Sequence, residues 1–304
     1  MRMFRFKQEQ KIFDIAGVKV GGQPGQLPTV MIGSIFYGKQ KIFEDEKAGV
    51  FSKEKAEDLL NKEREISDKT GNPRIVDVCC TWPQAFGKLI EFVADRIDGP
   101  LAIDGTTEEA RIAGARYVGE VGLSGRVVYN SIMPHIKEAE INAIREARIK
   151  SAVLLTYNAK NPTIAGRMQV LDELLALASK AGIEKILVDT TVLDIPDPGP
   201  VSKAIYLVKE KYGLPAGAGT HNAVQRWNKM RKMDKTLFSI ASSVADVLPI
   251  LMGANFVIYG PIDNASNAYF HCALADAYVA YSIRQEFGTR PLTSNHPLYK
   301  IFKI

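Results

Sequence analysis

The sequence predicts an α/β fold, namely a closed (β/α)8 TIM barrel with an N-terminal hairpin or arm. Three observations lead to this prediction. Short apolar runs alternate eight times with segments of helical periodicity. Most of the runs are continuously apolar, which is typical of parallel strands that are buried on both faces. Eight alternations favour a closed barrel over an open sheet, and such barrels reach 304 residues as one domain.

The predicted strands are spaced evenly along the chain after an N-terminal segment of different character. Residues 1–27 contain FRFKQEQKIFDIAGVKVGGQPG, which indicates a hairpin or arm that could plug the bottom of the barrel. Residues 28–304 are predicted to form a single barrel domain. Its eight predicted strands lie at 28–36, 74–80, 100–106, 126–132, 151–158, 184–191, 214–222 and 254–262.

The segments between the strands have the periodicity and the end signals of helices. The first, SKEKAEDLLNKEREISDKTG, begins with Ser52 as an N-cap and ends at Gly71. Several others also end in glycine, the usual C-terminal stop. The remaining predicted helices are QAFGKLIEFVADRI, EEARIAGARYVGEVG, KEAEINAIREAR, GRMQVLDELLALASKAG, GPVSKAIYLVKEKYG, AVQRWNKMRKM with SIASSVADVLPILMGA, and ASNAYFHCALADAYVAYSIRQEFG.

The composition argues against several classes of protein. Apolar residues make up 46% and charged residues 24%, which is ordinary for a globular protein. The net charge of +5 comes from scattered basic residues, so no nucleic-acid partner is expected. Three cysteines without a CxxC pair favour a reducing, cytoplasmic setting. We expect neither a signal peptide nor a membrane span, which would need about 18 consecutive apolar residues.

Polar residues interrupt or end most of the apolar runs, at the end of the barrel where active sites of this fold lie. An Asp or Asn after a strand often caps the next helix or forms a turn, so each residue has this structural alternative. For Asp77, which lies inside its run, a structural hydrogen bond is the favoured role. Asp104, Asn130 and Asp189 directly follow apolar residues and are expected to meet at the mouth. The candidate mouth residues are Asp77, Asp104, Asn130, Asn158, Asp189, His221, Asn222 and Tyr259.

Two acids and an amide at one mouth suit a flat heterocycle with an aminopyrimidinone edge. A carboxylate accepts two parallel hydrogen bonds from a ring N–H and its neighbouring amino group, and an asparagine both donates and accepts. Other chemistries fit less well. Cys79 and Cys80 are adjacent in a strand and face opposite sides, so no bound metal is expected. The sequence has no GxSxG elbow and no Walker A motif, and GAGTHN lacks the third glycine of a dinucleotide fingerprint.

Three long blocks carry a family resemblance that spans essentially the whole chain. They are FRFKQEQKIFDIAGVKVGGQPGQLPTVMIGSIFYG, LAIDGTTEEARIAGARYVGEVGLSGRVVYNSI and ANFVIYGPIDNA. The sequence resembles the H-subunit family of tetrahydromethanopterin S-methyltransferases, within the pterin-binding methyltransferases that share the (β/α)8 barrel. The resemblance implies that Asp104, Asn130 and Asp189 hold the pterin ring and that Asn222 lies near its methyl-bearing nitrogen.

The resemblance also implies the reaction and its partners. A methyl group would pass between the ring nitrogen of a tetrahydropterin and the cobalt of a corrinoid, in an SN2-like step without a covalent enzyme intermediate. A corrinoid, or a corrinoid-binding protein, would lie across the barrel mouth. The protein would belong to one-carbon metabolism, either in methanogenesis or in a catabolic methylamine or glycine betaine pathway. Membership of a membrane-associated methyltransferase complex is compatible with this interpretation.

Several alternatives stay open at the level of sequence. The direct passage from NPTIAG into GRMQVLDELLALASKAG, the DGT at 104–106 and the CCTWP after the second strand depart from the family expectation. They leave tetrahydrofolate as the alternative carrier, with transfer running from methylcobalamin to tetrahydrofolate. A dihydropteroate synthase-like enzyme would need a basic diphosphate site, for which His221 and Arg226 are weak candidates. A non-catalytic docking protein is the third alternative.

The last predicted helix suggests an oligomer. It carries more apolar surface than one stripe requires, so we expect part of it to meet a second copy in a homodimer; packing on the barrel is the alternative. The residues concerned are Tyr269, Phe270, Leu274, Tyr278, Val279 and Tyr281.

Overall fold

The computed structural model describes residues 4–192 and 198–302. Within these ranges, eight parallel strands close into a barrel in which each strand pairs with its neighbours in chain order and the last pairs with the first. This confirms the predicted fold class, because all eight apolar runs form barrel strands. The strands are β1 (Val30–Ile35), β2 (Arg74–Cys80), β3 (Leu101–Gly105), β4 (Val127–Ile132), β5 (Ser151–Leu155), β6 (Lys185–Asp189), β7 (Ala216–Ala218) and β8 (Phe256–Pro261).

The helices surround the barrel and connect its strands. Ser52 caps the first helix by accepting a hydrogen bond from the Lys55 amide, and Gly71 ends it in a left-handed conformation with φ of 87°. Both ends were predicted from the sequence. The helices are α1 (Lys53–Thr70), α2 (Pro83–Ala94), α3 (Glu108–Glu120), α4 (Glu138–Glu146), α5 (Ile164–Lys180), α6 (Pro198–Tyr212), α7 (His221–Arg231), α8 (Lys235–Leu251), α9 (Ala265–Phe287) and α10 (Pro297–Phe302).

An N-terminal hairpin covers the lower end of the barrel. Strands Ile12–Ile15 and Val18–Gly21 pair in antiparallel fashion. The buried side chains of Ile15 and Val20 pack against inward-facing residues of the barrel strands. The barrel residues in this cluster are Val30, Ile32, Ile75, Ala102, Val128, Val153, Leu187 and Phe256. Because apolar side chains fill this end, the opposite, carboxyl end of the strands is the one that offers space for a ligand.

The strand register brings polar residues to one level at that carboxyl end. Cys79 of β2 lies opposite Asp104 of β3, and Asp104 in turn lies opposite Asn130 of β4. On the far side of the barrel, Asp189 of β6 lies opposite Gly217 of β7. Inward-facing side chains at the carboxyl ends of the strands of a closed barrel point toward a shared mouth. The apolar runs therefore end with their polar residues facing one another.

Three smaller elements were not predicted from the sequence. A two-stranded hairpin of Phe43–Asp45 and Val50–Phe51 follows β1, and a 3-10 turn at Ile262–Asn264 follows β8. The third is α10. In the described ranges, every helix is too short or too polar to traverse a lipid bilayer.

Candidate active site

A cavity of about 380 Å³ opens at the carboxyl end of the barrel. Its wall brings together six of the eight residues that the sequence analysis placed at the mouth. Four of them lie on β2, β3, β4 and β6 and two lie at the start of α7, so residues far apart in the chain face one space. The six are Asp77, Asp104, Asn130, Asp189, His221 and Asn222.

Asp77 organises one side of the cavity. Its buried carboxylate accepts a hydrogen bond from the Asn130 amide over 3.2 Å and another from the Ser34 hydroxyl over 2.8 Å. Because the Asn130 amide nitrogen faces Asp77, the Asn130 amide oxygen is left for the cavity. The structural hydrogen bond predicted for Asp77 is present, and it orients a residue of the site. Ser34 was missed by the sequence analysis, although its hydroxyl interrupts the apolar run of β1.

Two carboxyl groups and a thiol lie close together beside Asn130. The Cys79 sulfur is 3.5 Å from Asp77 Oδ2 and 3.7 Å from Asp104 Oδ2. Burial and the neighbouring Asp77 charge raise the pKa of Asp104 to about 7. Burial also raises the pKa of Asp77, and it raises the pKa of the Cys79 thiol well above its ordinary value. A ligand that supplies hydrogen-bond donors to this side of the cavity would favour the ionised form of the two carboxyl groups.

Asp189 is held in place by backbone amides on the opposite side. Its Oδ1 accepts a hydrogen bond from the Thr191 amide over 2.7 Å, and the Gly219 amide also bonds to this carboxylate. Burial nevertheless raises the pKa of Asp189 to about 6. Two fixed donors orient the carboxylate while its remaining lone pairs face the cavity. Such an acceptor is ready for a ligand that carries adjacent N–H groups.

Asn222 has a defined amide orientation. Its Nδ2 donates a hydrogen bond to the Val192 carbonyl oxygen over 3.3 Å. A carbonyl oxygen only accepts, so the amide nitrogen must face Val192 and the Asn222 oxygen is available to the cavity. The ring of the neighbouring His221 lies close to Gly260. A β-carbon at position 260 would lie 2.4 Å from this ring, and the φ of 80° also favours glycine there.

Two residues predicted at the mouth, Asn158 and Tyr259, are not part of the wall of this cavity. Asn158 lies beyond the end of β5, where its Oδ1 accepts hydrogen bonds from the Lys160 and Asn161 amides and closes a local turn. Tyr259 follows the inward-facing Ile258, so strand alternation turns its side chain outward. Its hydroxyl donates to Glu63 of α1 over 2.6 Å.

Arg111 lines the cavity and was missed by the sequence analysis. Its Nε donates to Glu140 Oε1 over 2.8 Å, and its Nη1 donates to the Gly105 carbonyl oxygen over 3.1 Å. The guanidinium therefore braces the turn that follows Asp104. Its position inside the periodic pattern of α3 gave no signal of this role.

A second cavity of about 300 Å³ adjoins the first along the loop after β1. The two share Ser34, Asp104, His221 and Asn222 in their walls. Tyr37 lines the second cavity, and its hydroxyl donates to Asp263 Oδ2 over 3.1 Å. The mouth therefore offers room beside the polar cavity for a further part of a large ligand.

Two groups of side chains in the described ranges have the donor types of a metal site. Asp77, Cys79 and Asp104 form one group, and Asp246, His271 and Cys272 form the other. In each group the possible ligand atoms lie within 4.8 Å of one another. The first group belongs to the cavity wall, where its members already bond to each other. The second lies outside the barrel, between α8 and α9.

Comparison with known proteins matches the chain to one family along nearly all its length. The sequence profile of the MtrH subunit of tetrahydromethanopterin S-methyltransferase matches residues 8–292. The H subunit of this enzyme from Methanothermobacter thermautotrophicus is 41% identical, over 98% of this chain and 100% of the relative. The H subunit of a putative mtx methyltransferase from Methanosarcina barkeri is 36% identical, over 97% and 99% of the two chains.

Solved structures with the same barrel include dihydropteroate synthases. The Xanthomonas albilineans enzyme with 4-aminobenzoic acid superposes with a TM-score of 0.60 at 15% identity, over 92% of this chain and 100% of that chain. The Yersinia pestis enzyme with a pterine–sulfa conjugate gives a TM-score of 0.59 at 12% identity, over 88% and 99%. At these identities the likeness shows the shared fold.

Proposed function

The chain belongs to the family of the MtrH subunit of tetrahydromethanopterin S-methyltransferase, and we propose that its barrel mouth binds a methyl-tetrahydropterin for methyl transfer to a corrinoid. Methyltransferase chemistry follows from the family. The identity of the acceptor, the roles of individual residues and the direction of transfer are the parts that we propose. The observation that carries the proposal is the convergence of Asp104, Asn130 and Asp189 on one cavity.

The polar groups of this cavity match the edge of a reduced pterin ring. The pyrimidinone part offers a ring N–H beside an amino group, and the Asp189 carboxylate, fixed by two backbone amides, can accept both. Asp104 can accept a further ring N–H. Asn130 offers its oxygen and one remaining amide hydrogen because the other hydrogen is committed to Asp77. Charge-assisted hydrogen bonds contribute roughly 1.5–3 kcal/mol each, so two or three would hold and orient the ring.

Asn222 is the proposed catalytic residue. During transfer the bond between the methyl carbon and the pterin nitrogen breaks, the acceptor's electron pair forms the new bond, and the nitrogen gains a proton from solvent. The Asn222 amide is fixed with its nitrogen on the Val192 carbonyl, so its oxygen can accept a hydrogen bond from the protonated ring nitrogen. This stabilises the better leaving group. Catalysis would then consist of positioning and electrostatic stabilisation, without a nucleophilic side chain.

The corrinoid supplies the cobalt that accepts or donates the methyl group. We propose that it is carried by a separate protein and covers the open barrel mouth, so that the cobalt faces the methyl group of the bound pterin. The mouth and its side cavity together leave this face open to such a partner. The relatives are named as H subunits, which favours work within a complex of several different chains.

Tetrahydromethanopterin is the favoured methyl carrier because the curated relatives are named for it. Tetrahydrofolate is the alternative, since both carriers present the same kind of ring edge to the cavity. The departures at DGT (104–106) and CCTWP (79–83) lie beside the proposed ring site and bear on this choice.

We also propose that the protein forms a homodimer through α9. Tyr269 and Val279 are buried against the rest of the chain, whereas Phe270, Tyr278 and Tyr281 are 39%, 59% and 43% exposed. The three exposed residues are eight and three positions apart and so lie on one side of the helix. The Tyr278 ring also packs on Phe302 of α10, with 5.8 Å between centroids. A second copy would cover this aromatic face.

Calorimetric titration with the two tetrahydropterins tests the proposed ring site. We expect the wild-type chain to bind at least one of them, and Asp189→Asn to weaken that binding at least tenfold. Asp172→Asn, which removes an equivalent carboxylate from the exposed face of α5, is the matched control and should bind as the wild type does. Equal affinity of the wild type and Asp189→Asn would contradict the ring site.

A further inference from the structure

Thr220, the residue before α7, uses its side chain in an unusual way. A threonine at this position ordinarily accepts a hydrogen bond from an amide in the first turn of its own helix. Thr220 makes no such cap, and its backbone is in the right-handed helical region. Its buried hydroxyl instead donates to Asp246 Oδ1 of α8. The turn that carries His221 and Asn222 is therefore anchored to the outer layer of the fold.

Asp246 is in turn fixed by a second helix. Its Oδ2 lies 2.7 Å from His271 Nε2 of α9, and His271 Nδ1 lies 3.0 Å from the Ser243 hydroxyl. Both oxygens of the buried carboxylate thus have partners, as a buried charge requires. The network joins α8 and α9 to the start of α7. It consists of Thr220, Asp246, His271 and Ser243 and is called here the outer clamp.

The outer clamp contains serine, histidine and aspartate, but it is not arranged for hydrolysis. Ser243 donates its hydroxyl proton to the Ser239 carbonyl oxygen over 2.9 Å. While this hydrogen bond is made, the single hydroxyl proton of Ser243 is not available to His271. A nucleophilic serine must give its proton to the histidine. Cys272, whose thiol lies near Asp246, is fully buried, and burial raises its pKa well above the ordinary value.

The same turn is held from the inside of the barrel. The backbone amide of Gly219 donates to the Asp189 carboxylate, and the side-chain amide of Asn222 donates to the Val192 carbonyl oxygen. Residues 219 to 222 are thus fixed on the cavity side by Asp189 and on the outer side by Asp246. We propose that the outer clamp positions Asn222, so that Asp246 and His271 act on methyl transfer through the Thr220 hydroxyl without touching the substrate. This inference rests on the proposed function of Asn222.

The inference predicts a specific pattern for Thr220→Val, which keeps the shape of the side chain and removes the anchoring hydroxyl. Small displacements of a group near reacting atoms cost rate more than binding. We expect kcat to fall about 10- to 100-fold while the pterin Kd changes less than about threefold. Thr220→Ser should restore most of the rate. Thr70→Val, at a buried threonine whose hydroxyl bonds to the backbone of α1, is the matched control.

A double-mutant cycle separates positioning from general destabilisation. If the clamp acts through Asn222, Thr220→Val should cost less than about threefold in a chain that already carries Asn222→Ala. Full additivity of the two losses would overturn the inference, as would wild-type kcat in Thr220→Val. Asp246→Asn and His271→Gln should follow the same pattern as Thr220→Val.

A substrate-free measurement keeps this inference distinct from the proposed function. The side-chain amide of Asn222 can be observed by nuclear magnetic resonance and assigned by its loss in Asn222→Ala. Thr220→Val should shift or broaden this signal, and Thr70→Val should leave it unchanged. An unmoved Asn222 signal in Thr220→Val would overturn the clamp even if the enzyme turns over. A moved signal in a chain without methyl transfer would retain the clamp and reject the proposed reaction.

Discussion

Asn130 donates an amide hydrogen to the buried carboxylate of Asp77 over 3.2 Å, across the strand that carries Asp104. Asp77 is itself fixed by the Ser34 hydroxyl. A chain of hydrogen bonds from β1 through β2 to β4 therefore sets which edge of the Asn130 amide faces the cavity. In the proposed site, this edge of the Asn130 amide forms hydrogen bonds with the pterin ring.

Removing the Asp77 carboxylate should weaken pterin binding although Asp77 lies behind Asn130. In Asp77→Ala the Asn130 amide loses its orientation, and we expect the pterin Kd to rise about 5- to 30-fold, which corresponds to roughly 1–2 kcal/mol. Asn130→Ala should cause at least as large a loss. Calorimetric titration measures both, and circular dichroism checks that the fold is retained. Unchanged affinity in both variants would remove the assignment of this pocket.

Pterin affinity should depend on pH. Burial raises the pKa of Asp104 to about 7 and that of Asp189 to about 6. The ionised carboxylates accept stronger, charge-assisted hydrogen bonds from the ring than the neutral acids do, so affinity should be constant near pH 8.5 and fall as the pH drops through 7 and then 6. The fall approaches about tenfold per pH unit for each group below its pKa. Asp104→Asn should bind the pterin more weakly at pH 8.5, and its affinity should no longer fall near pH 7. A Kd that stays level from pH 8.5 to 6 in the wild type would contradict this prediction.

Lys209 should make stability depend on alkaline pH. The side chain is fully buried, its Nζ donates to the Gly22 carbonyl and Asn255 Oδ1, and burial lowers its pKa to about 7. Between pH 7 and the ordinary lysine pKa, the unfolded chain holds a proton at this position that the folded chain lacks. Stability therefore rises with pH in this window, by about 1 kcal/mol per unit from this group.

Urea unfolding at pH 7, 8 and 9 measures this contribution as the difference between the wild type and Lys209→Met. As the pH rises from 7 to 9, the free energy of unfolding of the wild type should increase relative to that of Lys209→Met. Lys203→Met removes an exposed lysine from the same helix and should follow the wild-type pH profile. Parallel pH profiles for the wild type and Lys209→Met would count against a depressed pKa at Lys209.

The aromatic face of α9 should mediate self-association. Light scattering on the wild type should give the mass of two chains, and a Tyr278→Ser, Tyr281→Ser double variant should shift toward one. Replacing Tyr157, an exposed aromatic residue on a different surface, with serine should leave the mass unchanged. A wild-type mass equal to one chain would contradict the proposed homodimer.

The sequence predicted the barrel well because each strand is a continuous apolar run and each run ends in a recognisable way. The same signal predicted that Asp104, Asn130 and Asp189 lie near the carboxyl ends of their strands, and all three line one cavity. Their role in holding a pterin ring stays a prediction. Asn158 has the same residue type as Asn130, but β5 ends three residues before it, and periodicity does not reveal that end. The outward position of Tyr259 could be predicted only by knowing that the Ile258 side chain points into the barrel. The outer clamp joins three helices through side chains that lie about 25 residues apart in the sequence. Contacts between residues so far apart leave no local pattern in the sequence.

Anaerobic turnover tests the central claim most directly. The purified chain would be mixed with methylcob(III)alamin and either tetrahydromethanopterin or tetrahydrofolate, and formation of cob(I)alamin would be followed by absorbance, with the same assay repeated using a corrinoid-binding protein as the methyl donor. We predict turnover that requires a tetrahydropterin and that falls strongly in Asn222→Ala. Cob(I)alamin formation with one pterin alone would also identify the carrier. Failure of both pterins with both the free and the protein-bound corrinoid would contradict the account.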